Sequence, residues 1–160
     1  MRGTGSSNAC VQPPVQRSVI AMTEGRQRSA SSILFPNAAT TGSLTVRVSA
    51  SYLPEQSHPD QQRWFWSYHV RIENDGPQPV QLIARHWKIE DANGVVVEVS
   101  GEGVVGEMPV IAPGDAYDYV SGCPLECESG TMEGHYKIVV ADGAMVEAAI
   151  PRFALELPVA

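Results

Sequence analysis

The stretch Leu44-Thr-Val-Arg-Val-Ser-Ala-Ser-Tyr52 decides the fold class, because apolar and polar residues alternate along its whole length. Successive side chains of a β-strand point to opposite faces of a sheet, so the alternation predicts a strand with one buried face. A second alternating run, over residues 64–72, predicts a strand whose inner face is heavily aromatic. The two runs together indicate a protein built from half-buried β-strands.

Five more strands are predicted between turn signals, over residues 80–90, 95–99, 116–121, 132–140 and 144–157. Asn93-Gly94 is expected to form a two-residue hairpin turn in which both residues have positive φ. The alternation changes phase within the third strand, and a β-bulge near Ile83 to Arg85 would explain the change. Pro151 lacks a backbone donor, which predicts an edge position for the last strand.

About seven strands and no amphipathic helix predict an all-β fold, an antiparallel β-sandwich of immunoglobulin or fibronectin type III kind. The cysteine and tryptophan spacing of true immunoglobulin domains is missing, which favours the fibronectin type III-like form. A chain of 160 residues is long enough for one such domain and too short for two of ordinary size. We expect the domain to span residues 42–160.

Residues 1–41 mix Ser, Gly, Pro, Thr and Arg without sustained periodicity, which predicts a disordered N-terminal extension. Two alternatives remain open for this segment, an organellar transit peptide and a start placed too early, with Met22 as the true start. The odd number of cysteines, three, disfavours a disulfide framework and favours a reducing compartment. We therefore expect a cytoplasmic location.

The formal net charge is −7, and the N-terminal 41 residues carry four arginines against one glutamate, so the predicted domain is strongly acidic. Nucleic acid is not expected as a partner, because duplex affinity comes largely from basic residues that neutralise phosphates. No apolar run approaches the length of a membrane span, so membrane insertion is not expected either. The sequence also lacks a recognisable nucleophile motif, and an enzyme is not expected. Cations and basic proteins are compatible with the charge.

The segment Gly101-Glu-Gly-Val-Val-Gly106 has the G-x-G-x-x-G spacing of a dinucleotide-binding turn. That turn requires a following helix, whereas two prolines follow here, and the acidic side chains would repel a phosphate. Pyrophosphate binding is therefore a minor alternative, and we expect a protein-binding loop that displays two valines. The sequence leaves open a tight loop whose valines fold back onto the core. The loop residues are Gly101, Glu102, Gly103, Val104, Val105 and Gly106.

His86 and His135 lie on the polar phase of two strands that are neighbours in a fibronectin-like order, with Glu133 on the same face as His135. Two imidazoles and a carboxylate could hold cobalt or zinc, with water completing the shell. The alternative is that His135 forms a surface hydrogen bond and His86 fills space. No cofactor beyond a weakly bound divalent cation is expected.

Several segments in the same order resemble the ApaG family, small bacterial β-sandwich proteins whose domain also occurs in some eukaryotic F-box and polymerase-interacting proteins. The resemblance covers about residues 44–157. The segments are Tyr68-His-Val-Arg-Ile-Glu-Asn74, Pro79-Val-Gln-Leu82, Arg85-His-Trp-Lys-Ile89, Gly101-Glu-Gly-Val-Val-Gly106, Pro113-Gly114, Ser121-Gly-Cys-Pro-Leu125 and Gly130-Thr-Met-Glu-Gly-His-Tyr136.

The resemblance implies a fibronectin type III-like fold and a non-enzymatic role, with bacterial members linked by name to cobalt and magnesium efflux. The expected function is a protein-interaction module associated with divalent-cation homeostasis, with the protein partner unidentified. The alternative is a weak divalent-cation or pyrophosphate and nucleotide binder.

Overall fold

The computed structural model describes residues 35–158, which form two antiparallel sheets packed face to face. The sheets contain nine strands, so the predicted β-sandwich is confirmed, with two strands more than the sequence indicated. In chain order the strands are β1 (Asn37–Thr41), β2 (Leu44–Tyr52), β3 (Trp64–Asn74), β4 (Val80–Asp91), β5 (Val96–Glu102), β6 (Val110–Ile111), β7 (Ala116–Leu125), β8 (Gly130–Val140) and β9 (Met145–Leu155).

The first sheet has the strand order β1-β2-β3-β7. Its inner face follows the alternation of the sequence: Val46 and Val48 lie opposite Ile72 and Val70, and all four side chains are fully buried. Two single-turn 3-10 helices, Pro54–Gln56 and Pro59–Gln61, connect β2 to β3. Both begin with a proline, whose fixed φ suits the first helical position.

The second sheet has the order β5-β4-β8-β9, and the short β6 pairs with the N-terminal end of β4. The predicted bulge is confirmed, because the register of β4 against β8 shifts between Leu82 and Ala84. Pro151 lies in β9, the edge strand opposite β5, at a second register shift where β8 meets β9. The edge position that the missing donor of Pro151 predicted for the last strand is therefore confirmed.

The β4–β5 hairpin differs from the expected two-residue turn. Gly94 has a φ of +84° and is the one turn residue with positive φ, while its amide donates to the Asp91 carbonyl and the Asp91 amide donates to Val95. This is a three-residue loop in which the glycine takes the left-handed position after a type I turn. Asn93 avoids positive φ because the longer loop needs only one such residue.

The domain begins before residue 42, which corrects the predicted boundary. Asn37–Thr41 pairs with β2 as an outer strand, and Phe35 is buried with its ring 4.8 Å from that of His69. Strand β1 has small and polar residues, so its order comes from pairing rather than from apolar alternation. The remainder of the predicted extension, residues 1–34, lies outside the described part of the chain.

Aromatic side chains from both sheets fill the core, among them Trp66, Tyr68, Tyr119 and Tyr136, each at most 2% exposed. The hydroxyls of Tyr119 and Tyr136 form a hydrogen bond with each other across the core. Burial in the apolar interior raises the pKa of both phenols. Over residues 35–158, no helix is long and apolar enough to cross a membrane.

Candidate functional site

A groove of about 350 Å³ opens where the bulge of β4 meets the C-terminal end of β5 and the middle of β8. Its lining combines basic, polar and small residues. These are Ala84, Arg85, His86, Ser100, Gly101, Glu102, His135 and Lys137. The groove therefore joins the two regions that the sequence singled out separately, the histidine pair and the start of the glycine loop, residues 101–106.

His86 and His135 are direct cross-strand partners, and their rings stack with centroids 5.1 Å apart. His86 Nδ1 lies 2.6 Å from Ser100 Oγ, and its Nε2 lies 3.0 Å from Glu98 Oε1. His135 Nε2 lies 3.8 Å from a carboxylate oxygen of Glu147 on β9. Each Nε2 thus faces a carboxylate on a flanking edge strand.

Glu133 does not complete a metal site with these histidines. It lies opposite Lys88 on β4, one row along the sheet from the imidazole pair. In residues 35–158, no group of three or more His, Cys, Asp and Glu side chains has an arrangement that could hold a metal ion. The hypothesis that His86, His135 and Glu133 form a three-donor centre is therefore wrong, because the carboxylates nearest the rings come from the flanking strands.

Ser100, His86 and Glu98 form a hydrogen-bonded chain with the same chemical groups as a nucleophilic triad. The chain lies on the open face of the sheet, and the Glu98 side chain is 60% exposed. Solvent weakens the electrostatic support that a triad carboxylate gives to its histidine. Sequence reasoning missed Ser100 and Glu98, although their exposed positions alternate along β5.

The glycine loop is folded tightly against the sandwich. Val104 and Glu107 exchange backbone hydrogen bonds, and the Gly103 amide donates to the carbonyl of Ile83 in the β4 bulge. Gly103 has a φ of +63°, and a Cβ there would lie 2.3 Å from the Glu107 carbonyl oxygen. Position 103 therefore requires glycine, because the backbone of Glu107 leaves no room for a side chain.

The expectation that the loop displays both valines is wrong for Val104, which is fully buried in the core. Val105 is partly buried and packs against the core, with a φ of +42°. The Val104–Glu107 hydrogen bonds close a turn that directs the first valine inward. The loop therefore has the other structure that the sequence left open, a tight loop whose valines fold back onto the core.

Arg85 lies at the rim of the groove, and its guanidinium lies over the Cα of Gly101. Its Nη1 donates to the carbonyl oxygens of Glu102, at 3.1 Å, and Gly103, at 2.8 Å. A Cβ on Gly101 would lie 2.8 Å from Nη2, so the guanidinium occupies the space of the absent side chain. Its Nε is buried and has no hydrogen-bond partner among the described residues. The sequence does not indicate Arg85 as a site residue, because Gly101, the residue that gives it this position, lies on another strand.

Comparison with known proteins places this chain within a family. The model of the ApaG domain matches residues 54–140, more than half of the chain. The chain belongs to the ApaG family. Protein ApaG of Rhodospirillum centenum is 52% identical over 118 residues, which cover 74% of this chain and 91% of that protein. Protein ApaG of Parvibaculum lavamentivorans is 50% identical over 120 residues, or 75% and 92% of the two chains.

The solved structure of the putative ApaA protein from Bordetella pertussis has a TM-score of 0.70 and 49% identity to this chain. The match covers 72% of this chain and 94% of the Bordetella chain. The ApaG resemblance and the sandwich fold are therefore both confirmed.

Proposed function

We propose that this ApaG-family protein is a non-enzymatic protein-interaction module that binds an extended segment of a partner along the open edge of β5. One observation carries the proposal: β5 is the last strand of its sheet, and among the described strands it pairs with β4 alone. An exposed strand edge presents backbone donors and acceptors that an added strand can use.

The hydrogen bonds at both ends of β5 show which of its backbone groups face outward. Val95 accepts from Asp91 at one end, and Gly103 donates to Ile83 at the other. Backbone groups in an antiparallel pair alternate between facing the partner strand and facing away. The amides and carbonyls of the even-numbered residues therefore face the open edge, namely Val96, Glu98, Ser100 and Glu102.

Apolar surface accompanies these outward-facing backbone groups, of which the Glu102 carbonyl already accepts from Arg85 Nη1. Val95, just before β5, is 56% exposed, and Val96, the first residue of β5, is 45% exposed. Val99 packs against the core but is only partly buried, because no strand covers its outer side. A further strand would remove this surface from water, which favours association.

The occupant that the charges favour is a different protein rather than a second copy. Full antiparallel self-pairing of β5 would place Val96 opposite Glu102 and Glu98 opposite Ser100, so neither carboxylate would meet a cation. Charged side chains on an edge strand are a common protection against self-association. A strand that carries basic residues complements the same edge.

The family resemblance implies a link to cobalt and magnesium homeostasis. In this proposal the protein acts on cation levels through its bound partner, in the cytoplasm. A second candidate is weak binding of a divalent cation or of pyrophosphate in the groove. Arg85 and Lys137, which line the groove together with the two histidines, favour the pyrophosphate anion over a cation.

A proline substitution tests strand addition. Ser100→Pro removes one outward-facing amide while leaving the β4 ladder donors in place, and proline is tolerated at such edge positions. We expect the wild-type chain and Ser100→Ala to retain the same partner in a pull-down read by mass spectrometry, and Ser100→Pro to lose it. Retention of that partner by a folded Ser100→Pro variant, as judged by its melting temperature, would contradict the proposal.

A further inference from the structure

We propose that Arg85 determines the specificity of the β5 edge by binding a carboxylate side chain of the docked strand, at the position opposite Gly101. The inference rests on the proposed function, because it concerns the partner that adds to β5. The inference predicts an acidic residue at one defined position of that partner.

Strand geometry brings the partner residue to Arg85. Tyr136, Arg85 and Gly101 are successive cross-strand partners on β8, β4 and β5, so their side-chain positions lie in one row on one face of the sheet. An added antiparallel strand would place its residue opposite Gly101 next in this row, with the two Cα atoms roughly 5 Å apart. Because Gly101 has no side chain, the Arg85 guanidinium already fills the intervening space.

The hydrogen-bonding state of Arg85 favours a carboxylate. Nη1 is bonded to two backbone carbonyls, but the buried Nε has no partner within the described residues. In residues 35–158 the guanidinium also forms no ion pair, unlike Arg47 and Arg71, which both contact Glu73. A guanidinium has five donors in a planar fork that matches a carboxylate. A carboxylate from the partner would supply both the missing charge and further acceptors.

The neighbouring positions complete the pattern. The partner residue opposite Glu102 precedes the acidic residue in the partner sequence and lies on the other face, beside an exposed carboxylate, so a basic residue fits there. The residues opposite Val99 and Val97 cover partly buried valines and are apolar. A peptide with this pattern is Lys-Glu-Thr-Val-Thr-Val-Val, read antiparallel from Glu102 to Val96.

The test compares this peptide, with blocked ends, with the version that carries Gln in place of Glu. Each is titrated to millimolar concentration into the full chain labelled with ¹⁵N, and the amide shifts of Ser100 and Glu102 report binding. We expect the Glu peptide to bind about tenfold more tightly, as one charge-assisted hydrogen bond gives. The preference should disappear in Arg85→Gln and persist in Lys88→Gln, the matched loss of a cation on the same strand.

Gly101→Ala gives a second route to the same result, because its Cβ displaces the guanidinium while the charge remains. We expect this variant to lose most of the preference for Glu over Gln. Equal affinity of the wild-type chain for both peptides would overturn the role of Arg85 and leave strand addition standing. Absence of shifts at Ser100 and Glu102 with either peptide would overturn the proposed function itself, and the Arg85 inference with it.

Discussion

Tyr119 of β7 and Tyr136 of β8 show how two polar groups can be buried together in the core. Each hydroxyl would be costly to bury alone, and their mutual hydrogen bond offsets that cost. For both phenols, desolvation by burial is the largest cause of the raised pKa. The positive charge of Arg85 acts in the opposite direction on both.

This pair predicts a loss of stability in alkali. A phenol whose folded-state pKa is raised stabilises the fold fully below its unfolded pKa of about 10, and that contribution is lost as the pH rises further. Urea unfolding at several pH values should therefore show a fall in the free energy of unfolding above about pH 10. The fall should be shallower in the Tyr119→Phe, Tyr136→Phe double variant, and equal slopes in the two proteins would contradict the prediction.

His86 and His135 lead to a prediction about cobalt. Two imidazoles whose Nε2 atoms face carboxylates on separate strands do not provide the three or more protein ligands of a typical transition-metal site. Any rise in melting temperature with added cobalt should therefore be the same in the wild type and in the His86→Ala, His135→Ala double variant. A cobalt effect that vanishes in the double variant, and below about pH 6 in the wild type, would instead show that the pair is a cation site.

Among the elements, β1 is the one whose contribution the sequence conceals. It has few large apolar residues, yet it extends the first sheet, and the amide of Ala149 in β9 donates to Thr41 Oγ1. Phe35, just before it, is buried over the outer face of β3 beside His69. The strand thus links the two sheets at one side of the sandwich.

Removal of β1 should destabilise the domain. We expect a chain that starts at Gly42 to have a lower free energy of unfolding than one that starts at Phe35, by at least about 2 kcal/mol, because one buried phenylalanine alone contributes that much. Chemical denaturation of the two chains measures the difference, and Phe35→Ala in the full chain separates the ring from the strand. Equal stability of the two truncated chains would show that β1 and Phe35 add nothing to the stability of the sandwich.

For the whole molecule, the sequence predicted those features that depend on a pattern within one strand. The faces of β2 and β3, the bulge in β4 and the edge position of Pro151 all follow from such local patterns. Features that depend on contacts between distant segments were missed. Strand β1 is ordered by its pairing with β2, and Arg85 becomes notable only because Gly101 lies beside it on another strand. The pattern of residues within one segment does not reveal contacts between segments that are distant in the sequence.

The glycine loop illustrates the same limit at the site. Its three glycines predict a loop that exposes two valines, whereas Gly103 allows a close backbone contact and Val104 is buried in the core. The histidine pair was placed correctly on neighbouring strands, but the partners of each ring come from β5 and β9, which the polar phase of β4 and β8 does not reveal. Register across four strands, rather than motif spacing, decides what this face can bind.

The bulge in β4 also bears on how the length of this strand can change during evolution. The ladder to β8 skips Ile83, since Leu82 pairs with Ile138 and Ala84 with Lys137. A lineage that lost Ile83 would keep every other side chain of β4 on its present face, whereas a deletion elsewhere in the strand would turn apolar residues outward. The Ile83 carbonyl, however, accepts from Gly103. Such a lineage would retain the sandwich and give up the backbone tether that holds the glycine loop to it.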